Sequence, residues 1–180
     1  LNPKDENIRF DFAKKLSWFK KFDEAKGHLE FLLQSNPIKK EYQLLRAQIA
    51  VWTNTDLEYA KSLLGKVLEK EPNNLEVLTS LAELNYQTQN FELSEDYIKR
   101  IERIDAQNIN LSELKNNLVT QRKRYEEMQL DSLLNEARNL LTEKKCIEAV
   151  KLFKIYFSKT SANESVYLEL ANAFVCSNNN

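Results

Sequence analysis

One pattern of sixteen residues constrains this chain more than any other feature. It runs from Phe22 to Pro37 as FDEAKGHLEFLLQSNP and returns from Leu57 (LEYAKSLLGKVLEKEP), from Phe91 (FELSEDYIKRIERIDA) and from Cys146 (CIEAVKLFKIYFSKTS). An apolar residue opens each copy. The fourth place holds Ala25, Ala60, Ser94 or Ala149, and the eighth holds Leu29, Leu64, Ile98 or Phe153, so small and large apolar side chains share one face at helical spacing. The small residue lets a partner helix come close. A helix this short cannot cover its own apolar face, so the pattern predicts stacked neighbours that cover it in turn.

A second helix precedes each copy and carries its own small residue: Ala13, Ala47, Ala82, Ala137 and, at the end of the chain, Ala171. From the first four of these to Ala25, Ala60, Ser94 and Ala149 the intervals are 12, 13, 12 and 12, which predicts helix hairpins of fixed geometry. The second hairpin has one extra residue in its turn, Thr53-Asn54-Thr55-Asp56. Pro3, Pro37 and Pro72 follow one another at 34 and 35 residues, so each proline falls at a junction between hairpins, where it breaks no helix.

These residues resemble the tetratricopeptide repeat family, whose unit joins a small residue in a first helix to an alanine and a large apolar residue in a second, closed by proline. Phe12, Ala13, Leu16, Phe22, Ala25, Leu29, Leu32 and Pro37 fall on its signature positions. Ala47, Ala60, Leu64, Val67 and Pro72 do so in a second unit. Leu78, Leu81, Ala82, Phe91 and Ile98 do so in a third, which has Ser94 for alanine and Ala106 for proline. The resemblance implies an all-α, right-handed superhelical solenoid of antiparallel helix pairs.

The spacing then breaks, because Phe91 and Cys146 stand 55 residues apart. Asn110 and Glu113 have the form of a capping box, and neither Gly nor Pro interrupts the chain from there to Lys145, so one long helix from Leu111 to about Glu143 is expected. Its apolar series Leu111, Leu114, Leu118, Tyr125 and Met128 is expected to pack on the third unit, and the insertion to redirect the superhelix. The expected organisation is three repeat-like units in 1–106, an inserted or extended helix in 107–130, a fourth unit in 131–161, and in 162–180 the first helix of an incomplete fifth, built on Leu170, Ala171 and Phe174. The chain opens at Leu1 without Met and ends on Ser177-Asn178-Asn179-Asn180, which reads as part of a longer protein.

Composition narrows the function. The 26 Lys and Arg and 27 Asp and Glu leave a net charge of −1, without the basic field that phosphate-backbone binding needs, so nucleic acid is not an expected partner. No run approaches the roughly 18–20 apolar residues of a membrane-spanning helix. No phosphate-binding loop, dinucleotide fingerprint, zinc-protease motif or nucleophile elbow occurs, so no enzyme activity and no cofactor is expected. The one histidine, His28, lacks companions at ligand spacing and reads as structural, with no metal site. Cys146 and Cys176 form neither a CxxC nor a zinc pattern and read as isolated thiols. Packing of the last helix beside the fourth unit leaves open the alternative of a disulfide.

Tetratricopeptide arrays take ligands in the groove lined by their first helices. By that resemblance the candidate binding residues are Phe10, Lys14, Trp18, Leu44, Gln48, Trp52, Thr79, Glu83 and Tyr86. The aromatic residues offer contact area, and Lys14, Gln48 and Glu83 offer polar specificity. For each Trp, packing on the following helix to close the hairpin is the competing expectation. The family's cochaperone members clamp a peptide carboxylate with basic and amide side chains. This chain has Phe10, Lys14, Leu45, Glu76 and Ser80 at those places, which disfavours such a clamp. The segments Leu16-Ser17-Trp18 to Ala25 and Ala50-Val51-Trp52 to Ala60 also resemble periplasmic tetratricopeptide scaffolds of outer-membrane exopolysaccharide export. Lys20 and Asn54 replace that family's turn glycine, and Gln87 and Thr142 stand where Trp would recur. The resulting expectation is a noncatalytic scaffold for protein partners or a polysaccharide, periplasmic or in the cell envelope. The alternative is a cytoplasmic adaptor that binds peptide segments.

Overall fold

The computed structural model describes residues 5–161 and 164–178. Pro3 and Asn163, with the junction and the helix start expected there, lie outside the described residues. Nine α-helices and no strand occur among those described: α1 Glu6–Trp18, α2 Phe22–Ser35, α3 Lys40–Thr53, α4 Leu57–Lys70, α5 Leu75–Gln87, α6 Phe91–Ile104, α7 Leu111–Thr142, α8 Cys146–Lys159 and α9 Glu164–Asn178. They fall into two compact units, residues 1–122 and 123–180, with α7 beginning in the first and ending in the second.

In the first unit α1 pairs with α2, α3 with α4 and α5 with α6, and each pair packs on the next through α2 against α3 and α4 against α5. The small residues make these pairs possible. Ala13, Ala25, Ala47, Ala60, Ala82 and Ser94 are all completely buried. Ser94 Oγ donates to the carbonyl of Ala82 at 2.8 Å, so the two small residues of the third pair face each other across the helix crossing. That bond also explains why serine is tolerated here, since its buried hydroxyl is satisfied. Around these crossings the large residues Leu29, Leu32, Tyr42, Ile49, Leu64 and Val77 close the core.

Every hairpin turns in the same way. Lys20 N–H donates to Ser17 O and Lys21 N–H to Leu16 O; Asn54 and Thr55, Gln89 and Asn90, and Lys144 and Lys145 repeat the two bonds. This is the Schellman closure of a helix, which needs a left-handed residue just beyond the cap. Lys20, Asn54, Gln89 and Lys144 have φ of 58°, 53°, 65° and 60°, and none is glycine. The extra residue of the second turn produces a second left-handed position, Asp56 at 51°. At the junctions, Pro37 and Pro72 expose carbonyls that Gln43 Nε2 and Arg100 Nη2 bind at 2.8 and 2.7 Å.

The long helix spans Leu111–Thr142, close to its expected bounds. Leu111, Leu114 and Leu118 are buried within the first unit, but Met128 is 52% exposed, so the apolar series does not continue that far. Asn108 Oδ1, accepting from Asn110 N–H at 3.1 Å, ties the loop ahead of the helix.

The second unit joins the end of α7 to α8 and α9. Its core is Leu134, Ala137, Ala149, Val150, Phe153, Val166 and Ala173. Ala173 fills the small-residue place expected of Ala171, which is exposed. With Val166, Leu170 and Ala173 facing the core at spacings of four and three, Ala171 points away. The expectation of isolated thiols is also corrected: Cys146, opening α8, and Cys176, near the end of α9, form a disulfide with Cα atoms 5.7 Å apart. His28 is held structurally, its Nδ1 within 3.2 Å of Arg9 Nη1 and its ring edge-on to Phe12.

Two outcomes follow from this architecture. Relief of the left-handed backbone, less the added freedom of the unfolded chain, makes Lys20→Gly, Gln89→Gly and Lys144→Gly each stabilising by about 0.5–1 kcal/mol. Lys15→Gly, inside α1, costs about 1 kcal/mol instead. Urea midpoints at unchanged slope report both. Replacing Cys146 and Cys176 together by Ala lowers the stability of the second unit by on the order of 3 kcal/mol, measured against the oxidised parent by thermal unfolding.

Candidate functional site

Within the first unit α1 touches α3 and α3 touches α5, so the first helices of the three hairpins form one layer with a groove along it. Two hollows lie in this groove. One, of about 200 Å³, is lined by Phe10, Lys14, Glu41, Leu44, Leu45, Gln48 and Glu76. The other, of about 310 Å³, is lined by Gln48, Trp52, Leu75, Glu76, Thr79, Ser80, Glu83, Asn108, Asn110, Glu113 and Leu114. They share Gln48 and Glu76, whose side chains meet in a hydrogen bond of 2.8 Å from Nε2 to Oε1, so the partition between them is one polar contact from α3 to α5.

The floor is built by helix register. Leu44 is buried, four residues before Gln48 on the same face, and Phe10 lies against Tyr42 with ring centroids 4.9 Å apart. Lys14 is drawn over the Phe10 ring at 5.0 Å while its ammonium pairs with Asp11 at 2.7 Å. That pair holds the Asp11 carboxyl below the usual carboxylate range, chiefly through the hydrogen bond from Lys14.

Trp52 ends α3 half exposed, one side of its indole toward Phe22 of α2 at a centroid distance of 6.1 Å. It therefore both braces the hairpins and presents a face to the larger hollow. Thr79 and Glu83, one turn apart on α5, line the same hollow. Tyr86 sits a further turn on but is 8% exposed and does not line it. Burial, then the nearby Glu83, raises the Tyr86 hydroxyl pKa, against a hydrogen bond from Asn117 that lowers it. Trp18 also lies outside both hollows, with 79% of its surface exposed at the end of α1. It does not close its hairpin.

Charge is the property of the groove that sequence reasoning undervalued. Glu41, Glu76, Glu83 and Glu113 line it against the single Lys14. Glu83 is pushed above the ordinary carboxylate range, first by burial and then by repulsion from Glu113. Glu76 was visible at a groove-facing position of α5. Glu113, Asn108 and Asn110 belong to the break after the third repeat, and no repeat pattern points them at the groove. Among the described residues no three His, Cys, Asp or Glu side chains converge as a metal site, and no helix is long and apolar enough to cross a membrane.

Residues 52–118 match the tetratricopeptide repeat family. No curated protein matches the chain. Among solved structures it is similar to a tetratricopeptide repeat protein of Parabacteroides merdae, at 16% identity and a TM-score of 0.61, over 96% of this chain and 72% of that one. A thermophilic tetratricopeptide repeat protein of Thermus thermophilus gives 15% identity and a TM-score of 0.57, over 94% of this chain and 99% of that one. The pilF protein of Pseudomonas aeruginosa gives 18% and 0.52, over 96% and 86%. At such identities the likeness speaks for the fold. Residues 52–118 thus match the tetratricopeptide repeat family, and the helix pairs share the fold of solved tetratricopeptide repeat proteins.

Proposed function

We propose that this chain is a noncatalytic scaffold whose groove along α1, α3 and α5 holds a segment of a partner protein bearing Lys or Arg side chains. The observation that carries the reading is the excess of carboxylates in the larger hollow: Glu76, Glu83 and Glu113 surround a space with no cation in it among the described residues. A cationic side chain entering there returns to Glu83 the charge stabilisation that burial removes. Trp52 offers its indole face to the same guest, as a cation–π or stacking platform. An anionic polysaccharide meets repulsion in this groove, so of the two polymer classes a basic protein segment is the better complement. The disulfide between α8 and α9 supports an oxidising compartment, and hence the periplasm or cell envelope over the cytoplasm. A role in exopolysaccharide assembly or export is a narrower form of this proposal and rests on the Trp18 and Trp52 segments alone.

The test is fluorescence anisotropy of the chain with matched peptides in which Lys and Arg are kept or replaced by Glu. The basic peptides bind and the acidic ones do not. Glu76→Gln and Glu113→Gln each weaken binding about three- to tenfold with unchanged helical dichroism. Equal binding of both peptide series, or indifference to the two substitutions, overturns the reading.

Acidity provides a second check. The folded Glu83 carboxyl lies above its unfolded value, so stability is lost as pH rises from the ordinary carboxylate range through the raised folded pKa. Glu83→Gln therefore stabilises the chain at neutral pH, and the gain over the parent disappears in acid, as urea titrations at stepped pH record. Affinity of the parent for a basic peptide falls over the same acidic interval.

A further inference from the structure

The first hairpin tip differs from the other three in a way the turn does not require. In the same register the other turns read Trp52-Thr53-Asn54-Thr55, Gln87-Thr88-Gln89-Asn90 and Thr142-Glu143-Lys144-Lys145, none with two adjacent aromatic residues. The first instead reads Trp18-Phe19-Lys20-Lys21, with the same backbone bonds. Trp18 is 79% and Phe19 77% exposed, so two large aromatic side chains stand in water. Their backbone is fixed beneath them. Leu16 and Ser17 are buried, Ser17 Oγ donates to Ala13 O at 2.9 Å, and Lys21 N–H closes on Leu16 O at 2.9 Å.

Trp52 makes the contrast plain. It holds the corresponding last turn of α3, yet Phe22 shields one side of it. Among the described residues no ring or cation contact covers Trp18 or Phe19. The tip also carries exposed lysines at 15, 20 and 21. Lys21 pairs with Glu24 at 3.0 Å, but both side chains are more than half exposed, and an ion pair of that kind yields easily. Asp23 and Glu24, the acids closest in sequence, lie in the first turn of α2, where the helix N-terminus favours them.

A projecting tip cannot enclose a peptide. It can enter a soft surface. We propose that this tip docks on a lipid bilayer bearing anionic headgroups, with Trp18 and Phe19 inserted at the interface and Lys15, Lys20 and Lys21 against the headgroups. An indole with one donor and a large apolar body belongs at that depth, and lysine stems reach back to phosphate while covering apolar surface. The charge term is modest per lysine and screened by salt, so the aromatic pair supplies insertion and the lysines supply the preference for anionic lipid. The groove and the tip are separate features, and the peptide measurements above do not bear on this proposal.

Trp52→Phe leaves Trp18 as the sole tryptophan, since the chain has 2. Its emission then reports the tip directly. With vesicles of phosphatidylcholine and phosphatidylglycerol the emission shifts to the blue, brominated lipid quenches it, and phosphatidylcholine alone moves it far less. In co-sedimentation of the otherwise unaltered chain, Trp18→Ala with Phe19→Ala binds roughly tenfold more weakly or worse, at unchanged helical dichroism. Lys20→Gln with Lys21→Gln weakens binding to the anionic vesicles about thirtyfold and leaves phosphatidylcholine unaffected. Unmoved Trp18 emission, vesicle binding that survives loss of both aromatics, or equal affinity for the two lipid mixtures overturns the proposal.

Discussion

The close approach of two helix backbones at a pair of small residues is the interaction on which the rest of this molecule depends. At each hairpin crossing of the first unit the residues between the helices are Ala or Ser and fully buried, and the 2.8 Å bond from Ser94 Oγ to Ala82 O shows how near the two backbones come. A branched side chain at that point forces the helices apart, with an overpacking cost of typically 1–3 kcal/mol. It also moves every layer that follows. Once the crossing is fixed, the large residues four places on, Leu29 and Leu64, pack into the core shared with the first helix of the next hairpin, α3 and α5 respectively. Local sequence therefore sets distant geometry through one repeated contact.

The extra residue of the second hairpin shows how a deviation from the repeat is put to use. It lies in the turn that carries Asp56, and Asp56 reaches Arg46 Nη2 at 2.8 Å, while Glu30 of α2 accepts from Arg46 Nε at 2.7 Å. Arg46 is 2% exposed, with Tyr59 facing its guanidinium at 5.0 Å. Lys26 completes the group by pairing with Asp56. The hydrogen bonds from Lys26, then Arg46, hold the Asp56 carboxyl below its ordinary range. A buried guanidinium is tolerated only with acceptors around it, and here two come from the elements on either side of α3, Glu30 of α2 and Asp56 of the turn into α4. The result is a polar clasp across α2, α3 and the turn into α4.

The sequence carried the hairpins because their information is local: intervals between small residues, prolines at junctions, and an uninterrupted run that became α7. Features set by partners remote in sequence were not legible. Arg46 reads as one more surface cation until Glu30 and Asp56 are seen around it. Tyr86 reads as a groove residue until Glu83 and Asn117 are found beside it under cover. In α9 the repeat phase gave Ala171, whereas burial of Val166 moves the inward face to Ala173, two residues on. Groove positions on α1, α3 and α5 came from the resemblance to tetratricopeptide repeats, and Phe10, Lys14, Leu44, Gln48, Trp52 and Glu83 line the hollows found there. Glu113 was not, because it arrives from α7, outside the repeat.

The distribution of carboxylates separates the parts of the first unit that hold the fold from the groove proposed to face a ligand. Away from the groove several acids have cations within the protein: Glu30 and Asp56 with Arg46, Glu71 with Lys40, Glu95 with Lys99, Glu102 with Lys115. Glu71 and Glu95 are held below the carboxylate range by those lysines. Glu83 shifts in the opposite direction, through burial and through Glu113. A desolvated carboxylate next to a second one works against folding at neutral pH, and among the described residues no group lining the larger hollow is a cation. The surrounding framework tolerates it because the helix crossings and the Arg46 clasp lie elsewhere. A site that costs stability in the free protein has the energetics expected if, as proposed, a cation from outside relieves it. The ion pairs that hold the fold and the proposed binding groove thus draw their acids from different elements of the first unit.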